Sequence, residues 1–152
     1  MSLEREIKQE KFSSEYQKLA VNIAFTNAYL TSLLSKNLKP HDISMQQYNV
    51  LRILRGQHPN PVSINSITDR MIDKMSNASR LVEKLRKKSM VERKTCTVDR
   101  RQVDVCITNK GLEVLSVIDD TMENFDHMFN HVSIEDAQSA NSILDKLRNS
   151  ND

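Results

Sequence analysis

Basic and amide side chains recur at helical spacing in the middle of this chain, in the segment that ends at Lys88. Asn77, Arg80 and Lys84 fall three and four residues apart, so an α-helix would place them on one face. A guanidinium group can form paired hydrogen bonds to guanine, a carboxamide can do so to adenine, and an ammonium group suits phosphate. These residue types in this order predict a helix face that binds a nucleic acid.

A second cationic cluster, Asp99-Arg100-Arg101, is flanked on both sides by residues that alternate in polarity. The stretch from Val91 to Thr108 is rich in β-branched side chains, which predicts a β-hairpin with the cluster at its tip. A narrow A·T-rich minor groove attracts an inserted arginine, which suits Arg101. Asp99 would repel phosphate, so we interpret it as a brace for that arginine, with an ordinary aspartate–arginine turn pair as the alternative.

Both clusters lie in a basic part of an otherwise acidic chain. Residues 70–101 contain 11 basic and 4 acidic residues, a net charge of +7, whereas the rest of the 152-residue chain carries a net charge of −5. A basic block of this kind indicates a surface for a polyanion, and a merely solvated charged face is the alternative.

The composition argues against several other classes of protein. Two cysteines are too few for a disulfide framework, and no apolar run approaches the roughly 20 residues of a membrane span. The N-terminus is charged and lacks an apolar signal core, so we expect a cytoplasmic protein without membrane association. The sequence contains no glycine-rich phosphate loop or nucleophile elbow, and we expect neither enzymatic activity nor a cofactor.

Hydrophobic spacing and helix caps predict the elements that precede the basic clusters. A helix over residues 13–36 ends before Pro40. A second helix begins at a capping box formed by Ser44 and Gln47, and Gly56 stops it.

A short helix and a basic helix follow, and together they predict a helix-turn-helix. Ser63 caps the short helix, and a three-residue turn over 72–74 leads to the basic helix over 75–88. Its apolar face recurs at helical period: Ala78, Leu81, Val82 and Leu85. Two short helices joined in this way place the outer face of the second against DNA.

A long helix capped by Thr108 carries a heptad-like apolar seam, formed by Leu115, Ile118, Met122, Phe125 and Phe129. Such a seam indicates a helical partner, and the alternative is that it packs only inside one chain. The first helix and a last helix that begins at Ser133 add further apolar positions to the predicted interface: Leu19, Ile23, Leu144 and Leu147. We therefore predict a homodimer, whose basic helices lie about 34 Å apart and require an inverted-repeat site on double-stranded DNA.

The stretch from Ser79 to Gly111 resembles the MarR family of bacterial transcription regulators. The matching segments read SRLVEKL, MVER, DRR and VCITNKG, at the spacing found in the family. Ser89 stands where relatives usually have a left-handed glycine, so this serine must tolerate strain or adopt another turn. Thr95-Cys96-Thr97 replaces a proline that is common in the wing of relatives.

The resemblance implies a winged helix-turn-helix with a helical dimerisation region, in one domain over residues 1–152. Residues 44–108 would form the DNA-binding lobe, and 1–36 with 109–150 would form the dimerisation lobe. It further implies that Arg101 enters the minor groove while Asp99 orients it. The expected function is a sequence-specific repressor, released by a small molecule bound between the two lobes.

Ten residues are the candidate DNA contacts: Ser63, Asn65, Lys74, Ser76, Asn77, Arg80, Lys84, Asp99, Arg100 and Arg101. Ser63 and Asn65, at the start of the short helix, suit phosphate contacts through hydroxyl and backbone N–H groups.

Other functions stay open as alternatives. A winged-helix protein–protein adaptor would keep the fold without binding DNA. Cys96 and Cys106 would suit a redox-responsive regulator, although strand cysteines are more often structural. His127 and His131 have the spacing of a two-histidine metal clamp but no obvious third ligand beyond Asp126, so they are weak candidates.

Overall fold

The computed structural model describes the backbone of residues 2–95, 103–127 and 129–149, with side chains for all of these except residues 95, 103 and 122–127. Within these ranges the chain forms α1 (Leu3–Ile7), α2 (Glu15–Leu38), a 3-10 turn (Lys39–His41), α3 (Met45–Arg55), β1 (Val62–Ser63), α4 (Ile64–Arg70), α5 (Ala78–Lys87), β2 (Val91–Thr95), β3 (Val103–Ile107), α6 (Asn109–His127) and α7 (Ile134–Arg148). The predicted fold class, mainly helical with a small β-hairpin, is confirmed.

The chain divides into two compact units, Met1–Ser116 and Val117–Asp152. The first contains α1 to α5 and the sheet, the second contains α7, and α6 begins in the first unit and ends in the second. The division of the chain into a DNA-binding lobe and a dimerisation lobe stays a prediction.

The sheet is antiparallel, with the strand order β1-β3-β2. The predicted hairpin is formed by β2 and β3, paired from Val91 opposite Ile107 to Thr95 opposite Val103. β1 was not predicted, because two residues after Pro61 are too few to show an alternating pattern; Val62 pairs with Val105. β3 is therefore the central strand, with buried side chains on both faces.

Side-chain caps start the helices where the sequence predicted them. Ser44 and Gln47 form the expected capping box, in which the Gln47 N–H donates to Ser44 Oγ (3.2 Å) and the Ser44 N–H to Gln47 Oε1 (2.9 Å). The Ser63 hydroxyl accepts the Ser66 N–H at the start of α4, and Ser133 accepts the Asp136 N–H at the start of α7. Each cap satisfies a backbone donor that would otherwise lack a partner.

The start of the basic helix corrects the sequence analysis. α5 begins at Ala78, not at residue 75, so the turn before it spans Ile72 to Ser76. Asp73 holds this turn, because its carboxylate accepts the Met75 N–H (3.0 Å) and the Ser76 hydroxyl (2.9 Å). A short acidic side chain that bonds the following backbone competes with helix formation, which explains the later start.

The core of the first unit is built by α3, α4, α5 and the sheet, which pack on one another. Its fully buried side chains include Leu51, Leu54, Ile67, Met71, Val82, Leu85 and Val105. Removing such side chains from water provides most of the stabilisation of a domain of this size.

The end of α5 and the start of α6 are joined by a network of hydrogen bonds. Ser89 has a φ of 60°, so it adopts the left-handed conformation expected at this position although it is not a glycine. Its carbonyl accepts the Thr108 hydroxyl (2.8 Å), and the Thr108 N–H donates to the Met90 carbonyl (3.1 Å). Lys110 Nζ donates to the Lys88 carbonyl (2.9 Å).

Gly111 completes this junction, because it is buried where the first turn of α6 meets the Met90 carbonyl. A Cβ atom at Gly111 would lie 2.4 Å from Met90 O and 2.7 Å from Ile107 Cγ1, and both distances are too short for a non-bonded contact of a Cβ atom. A Cβ atom at Gly56 would lie 3.5 Å from Arg52 O, an ordinary contact.

We predict that Gly111→Ala destabilises the protein by about 1–3 kcal/mol, because backbone atoms must move to admit the methyl group. Gly56→Ala is the matched control, and its backbone has a helical φ of −64°. It should be neutral or stabilising by about 0.4–1 kcal/mol. Urea unfolding of both variants measures the difference, and equal midpoints would contradict the close approach at Gly111.

Candidate nucleic-acid interface

The polar face of α5 is exposed because its opposite face is buried. Ala78, Val82 and Leu85 are buried, whereas Arg80 and Lys84 are exposed. The helix packs against α3, α4 and β2 through this apolar face. Arg80 and Lys84 are therefore presented together to solvent, as their spacing predicted.

Asn77 occupies the N-cap of α5 and is exposed. Its Oδ1 accepts the Arg80 N–H at 2.9 Å, which starts the helix. The amide N–H groups of Asn77 remain available as donors, but a paired contact to adenine would require the same oxygen to accept a second bond. The residue thus has a structural role that the sequence analysis did not assign to it.

Lys74 and Ser76 lie in the turn before α5 and not on the helix. Lys74 Nζ donates to the Asp69 carbonyl in the last turn of α4, and Ser76 Oγ donates to Asp73. Both side chains therefore help to hold the turn. At the start of α4, Ser63 is half-buried and caps the helix, while Asn65 is exposed.

An ion-pair cluster connects the hairpin to α5. Arg86 donates two hydrogen bonds to the Glu83 carboxylate (2.9 and 3.1 Å), and Arg93 of β2 lies 3.7 Å from the same carboxylate. The hydrogen bond from Arg86 lowers the pKa of Glu83, and Glu83 raises the pKa of Arg86. The predicted tip residues Asp99, Arg100 and Arg101 lie outside the described residues.

The predicted dimerisation residues fall into three groups. Leu115 and Ile118 are fully buried within the single chain, so they have no surface left to offer a partner. Leu19, Ile23 and Leu144 are half-buried, and Phe129 and Leu147 are exposed. The side chains of Met122 and Phe125 are outside the described set.

Exposed apolar side chains occur on α2 and α7 that the sequence analysis did not select: Tyr16 and Tyr29 on α2, and Ile134 and Ile143 on α7. Hydrophobic spacing did not identify Tyr16, Tyr29 and Ile134, because these residues lie outside the apolar stripes counted on the two helices.

Cys106 is buried in β3, and burial raises the pKa of its thiol. A raised pKa keeps the thiol protonated and unreactive, which argues against redox sensing at this residue. Cys96 lies outside the described residues. His131 is exposed, the His127 side chain is not described, and no group of three metal-binding side chains occurs among the described residues.

A cleft of about 810 Å³ opens between α2, the 3-10 turn, the start of α3 and the end of α5. Its lining contains hydroxyl groups of α2 and four lysines: Thr31, Ser35, Lys39, Lys84, Lys87 and Lys88. Asp42 also lines it and pairs with Lys88 at 3.0 Å. The cleft thus combines hydrogen-bonding groups with an excess of positive charge.

None of the described helices has both the length and the apolarity required to cross a lipid bilayer.

These features together define a winged helix-turn-helix, in which α4 and α5 form the helix-turn-helix and β2 and β3 form the wing. Residues 43–103 match the model of the MarR family. The regulator MhqR of Bacillus subtilis, an HTH-type transcriptional regulator, is 24% identical over 134 residues, which are 86% of this chain and 91% of that protein.

Solved structures share the fold. A mutant of MarR from E. coli, complexed with operator DNA, aligns with a TM-score of 0.78 and 20% identity over 91% of this chain and 99% of that one. AbsC of Streptomyces coelicolor, a MarR family transcriptional regulator, aligns with a TM-score of 0.72 and 21% identity over 93% of this chain and 100% of that one. Residues 43–103 thus belong to the MarR family of DNA-binding transcription regulators.

Proposed function

We propose that this regulator is a repressor that binds an inverted-repeat site on double-stranded DNA as a homodimer, and that a small anionic molecule releases it. The observation that carries the proposal is the exposed face of α5, which presents Arg80 and Lys84 beside the capping amide of Asn77. The complex of the E. coli relative with operator DNA supports the same use of the fold. Because its partner is DNA, the protein acts in the cytoplasm.

The major groove accommodates α5, whose N-terminal residues approach the base edges. Arg80 forms paired hydrogen bonds to guanine, and Lys84, one turn further on, binds phosphate. Ser63 and Asn65 add phosphate contacts at the start of α4. By the family resemblance, Arg101, which is predicted at the wing tip, enters the minor groove.

The negative charges of the basic block support this assignment because most of them are engaged locally. Asp73 holds the turn, Glu83 pairs with Arg86 and Arg93, and Glu92 pairs with Lys94 at 3.0 Å. Among the described residues, Arg80 and Lys84 have no such carboxylate partner. Their charge therefore remains available for phosphates and guanine.

Arg80→Ala should weaken binding to the preferred duplex by about 1–3 kcal/mol and relax the preference at one base pair per half-site. Lys146→Ala, on α7, removes the same charge outside the interface and should leave the affinity near that of the unchanged protein. The measurement is a fluorescence titration on duplexes obtained by in vitro selection, repeated over a range of salt concentrations.

For the unchanged protein the logarithm of affinity should fall steeply and linearly with the logarithm of salt concentration, because phosphate contacts release counterions. A protein that binds no duplex at low ionic strength would contradict the proposal and favour the protein–protein adaptor.

The homodimer is supported by apolar side chains that the single chain leaves exposed on α7, where Ile134 is 73% and Ile143 is 52% exposed. A winged helix alone makes few base contacts, so two copies related by a two-fold axis are needed for useful specificity. Leu115 and Ile118 stabilise the fold of the chain instead of the interface, since they are already buried.

Ile143→Glu should weaken dimerisation more than tenfold, because burial of an unpaired carboxylate costs several kcal/mol. Ser142→Glu adds the same charge at the adjacent exposed position of α7 and should leave the dimer intact. Sedimentation equilibrium at micromolar concentration measures both, and a stable monomer of the unchanged protein would rule out the proposed dimer.

Release by an anion is supported by the lysines of the cleft beside α5. Lys84 lines this cleft and also belongs to the proposed DNA interface, so an anion bound there competes with phosphate for the same ammonium group. A ligand in the cleft thereby favours the DNA-free form, as differential binding to two states requires.

Titration of the DNA complex with inorganic phosphate and a panel of small carboxylates should find an anion that releases DNA. Lys39→Gln should raise the concentration needed several-fold without changing DNA affinity in its absence, since Lys39 lines the cleft but not the DNA face. Lys36→Gln, on the same helix end but outside the cleft lining, is the control. If no anion releases DNA, or if both variants behave alike, the cleft is not the site of release.

A further inference from the structure

Two large apolar side chains project from the turn between α4 and α5. Met75 is 93% exposed and Ile72 is 86% exposed, the highest values for large apolar residues among those described. Both lie within the basic block, in the turn that leads to the capping Asn77. Water does not favour such exposure, so the pair is either tolerated at a cost or used for binding.

The backbone that carries these two side chains is held in place from both sides. The Ile72 N–H donates to Asn49 Oδ1 of α3 at 2.9 Å, and the Met75 N–H donates to Asp73 Oδ1 at 3.0 Å. Met71, immediately before the turn, is 1% exposed and anchors it in the core. Because the turn is already ordered, contacts made by its apolar tips involve little further loss of backbone entropy.

We propose that Met75 and Ile72 contact the C5-methyl groups of thymines in the major groove, and so contribute to the choice of DNA sequence. The proposal rests on the proposed function, since α5 must enter that groove. The thymine methyl is the one apolar group that a base pair presents there, and it distinguishes thymine from the other bases. Methionine suits this contact because its unbranched thioether adapts to the position of the methyl group.

The surroundings of the pair favour DNA over a protein partner. Lys74 lies between the two residues in sequence, and Arg70 and Arg80 flank them, so the apolar tips lie within a cationic surface that a polyanion complements. Two side chains provide only a small part of the roughly 800 Å² per partner that a stable protein interface buries. A nucleic acid, in contrast, obtains most of its affinity from the phosphates around them.

Replacement of thymine by deoxyuridine tests the proposal, because it removes only the C5-methyl group and leaves the hydrogen-bonding edge unchanged. The duplex is the preferred site from in vitro selection, with deoxyuridine introduced at one thymine of each half-site at a time. For the unchanged protein, at least one position should lose about fourfold in affinity per methyl group contacted.

The variants Met75→Gln and Ile72→Thr should abolish this preference for thymine over deoxyuridine at the position each contacts, so the ratio of the two affinities falls to about one. Met75→Gln keeps the length of the side chain and removes its apolar end. Val117→Thr, a similar loss of apolar surface at a half-exposed position of α6 that belongs to neither the proposed DNA contacts nor the proposed dimer residues, is the control and should retain the full ratio. Thermal unfolding verifies that each variant is folded.

The possible outcomes are distinct. A protein that binds duplex DNA but does not discriminate deoxyuridine from thymine at any position overturns this inference and leaves the proposed function intact. Variants that retain the full ratio overturn it as well. A protein that binds no duplex at low ionic strength overturns the proposed function itself.

Discussion

The burial of one side of α5 is the interaction on which the proposed DNA-binding face depends. Ala78, Val82 and Leu85 pack into the core formed with α3, α4 and β2, and their burial fixes the rotation of the helix about its own axis. Asn77, Arg80 and Lys84, spaced three and four residues apart on the opposite side of the helix, then face solvent. A single substitution in the buried face would therefore disturb several proposed contacts at once, although it touches none of them.

Local acidic groups give the basic block its order. The eleven positively charged side chains of the block repel one another, and the acidic side chains within it offset part of this repulsion. Glu83 connects α5 to the wing through Arg86 and Arg93, while Asp73 shapes the turn through hydrogen bonds and not through an ion pair. The same carboxylates thus hold the turn and the wing in place and reduce the positive charge of the block.

Much of the fold could be predicted from the sequence because it depends on local chemistry. The caps at Ser44, Ser63 and Ser133 and the alternating hairpin each follow from a few neighbouring residues. The predicted start of α5 was wrong because the Asp73 carboxylate accepts hydrogen bonds within the turn and so competes with helix formation. Hydrophobic periodicity alone does not reveal this competition. β1 was missed because its two residues are a strand only through their pairing with β3.

The candidate site was predictable in its residue types and less so in their roles. Helical spacing identified Arg80 and Lys84, but it does not tell whether an amide such as Asn77 serves the helix or a ligand. A heptad-like seam is equally compatible with a partner helix and with the interior of one chain, and Leu115 and Ile118 belong to the interior. Met75 was predicted to lie in the helix but precedes it, and the exposure of Ile72 and Met75 does not follow from hydrophobic periodicity.

The junction at Gly111 has a mechanical consequence. The Met90 carbonyl accepts the Thr108 N–H and lies directly against Gly111, while the Ser89 and Lys88 carbonyls are bonded to Thr108 and Lys110. The first turn of α6 is therefore bonded directly to the three residues that follow α5, and neither segment has free space to move against the other. Because of these contacts, we expect a change in the direction of one helix at this point to shift the other.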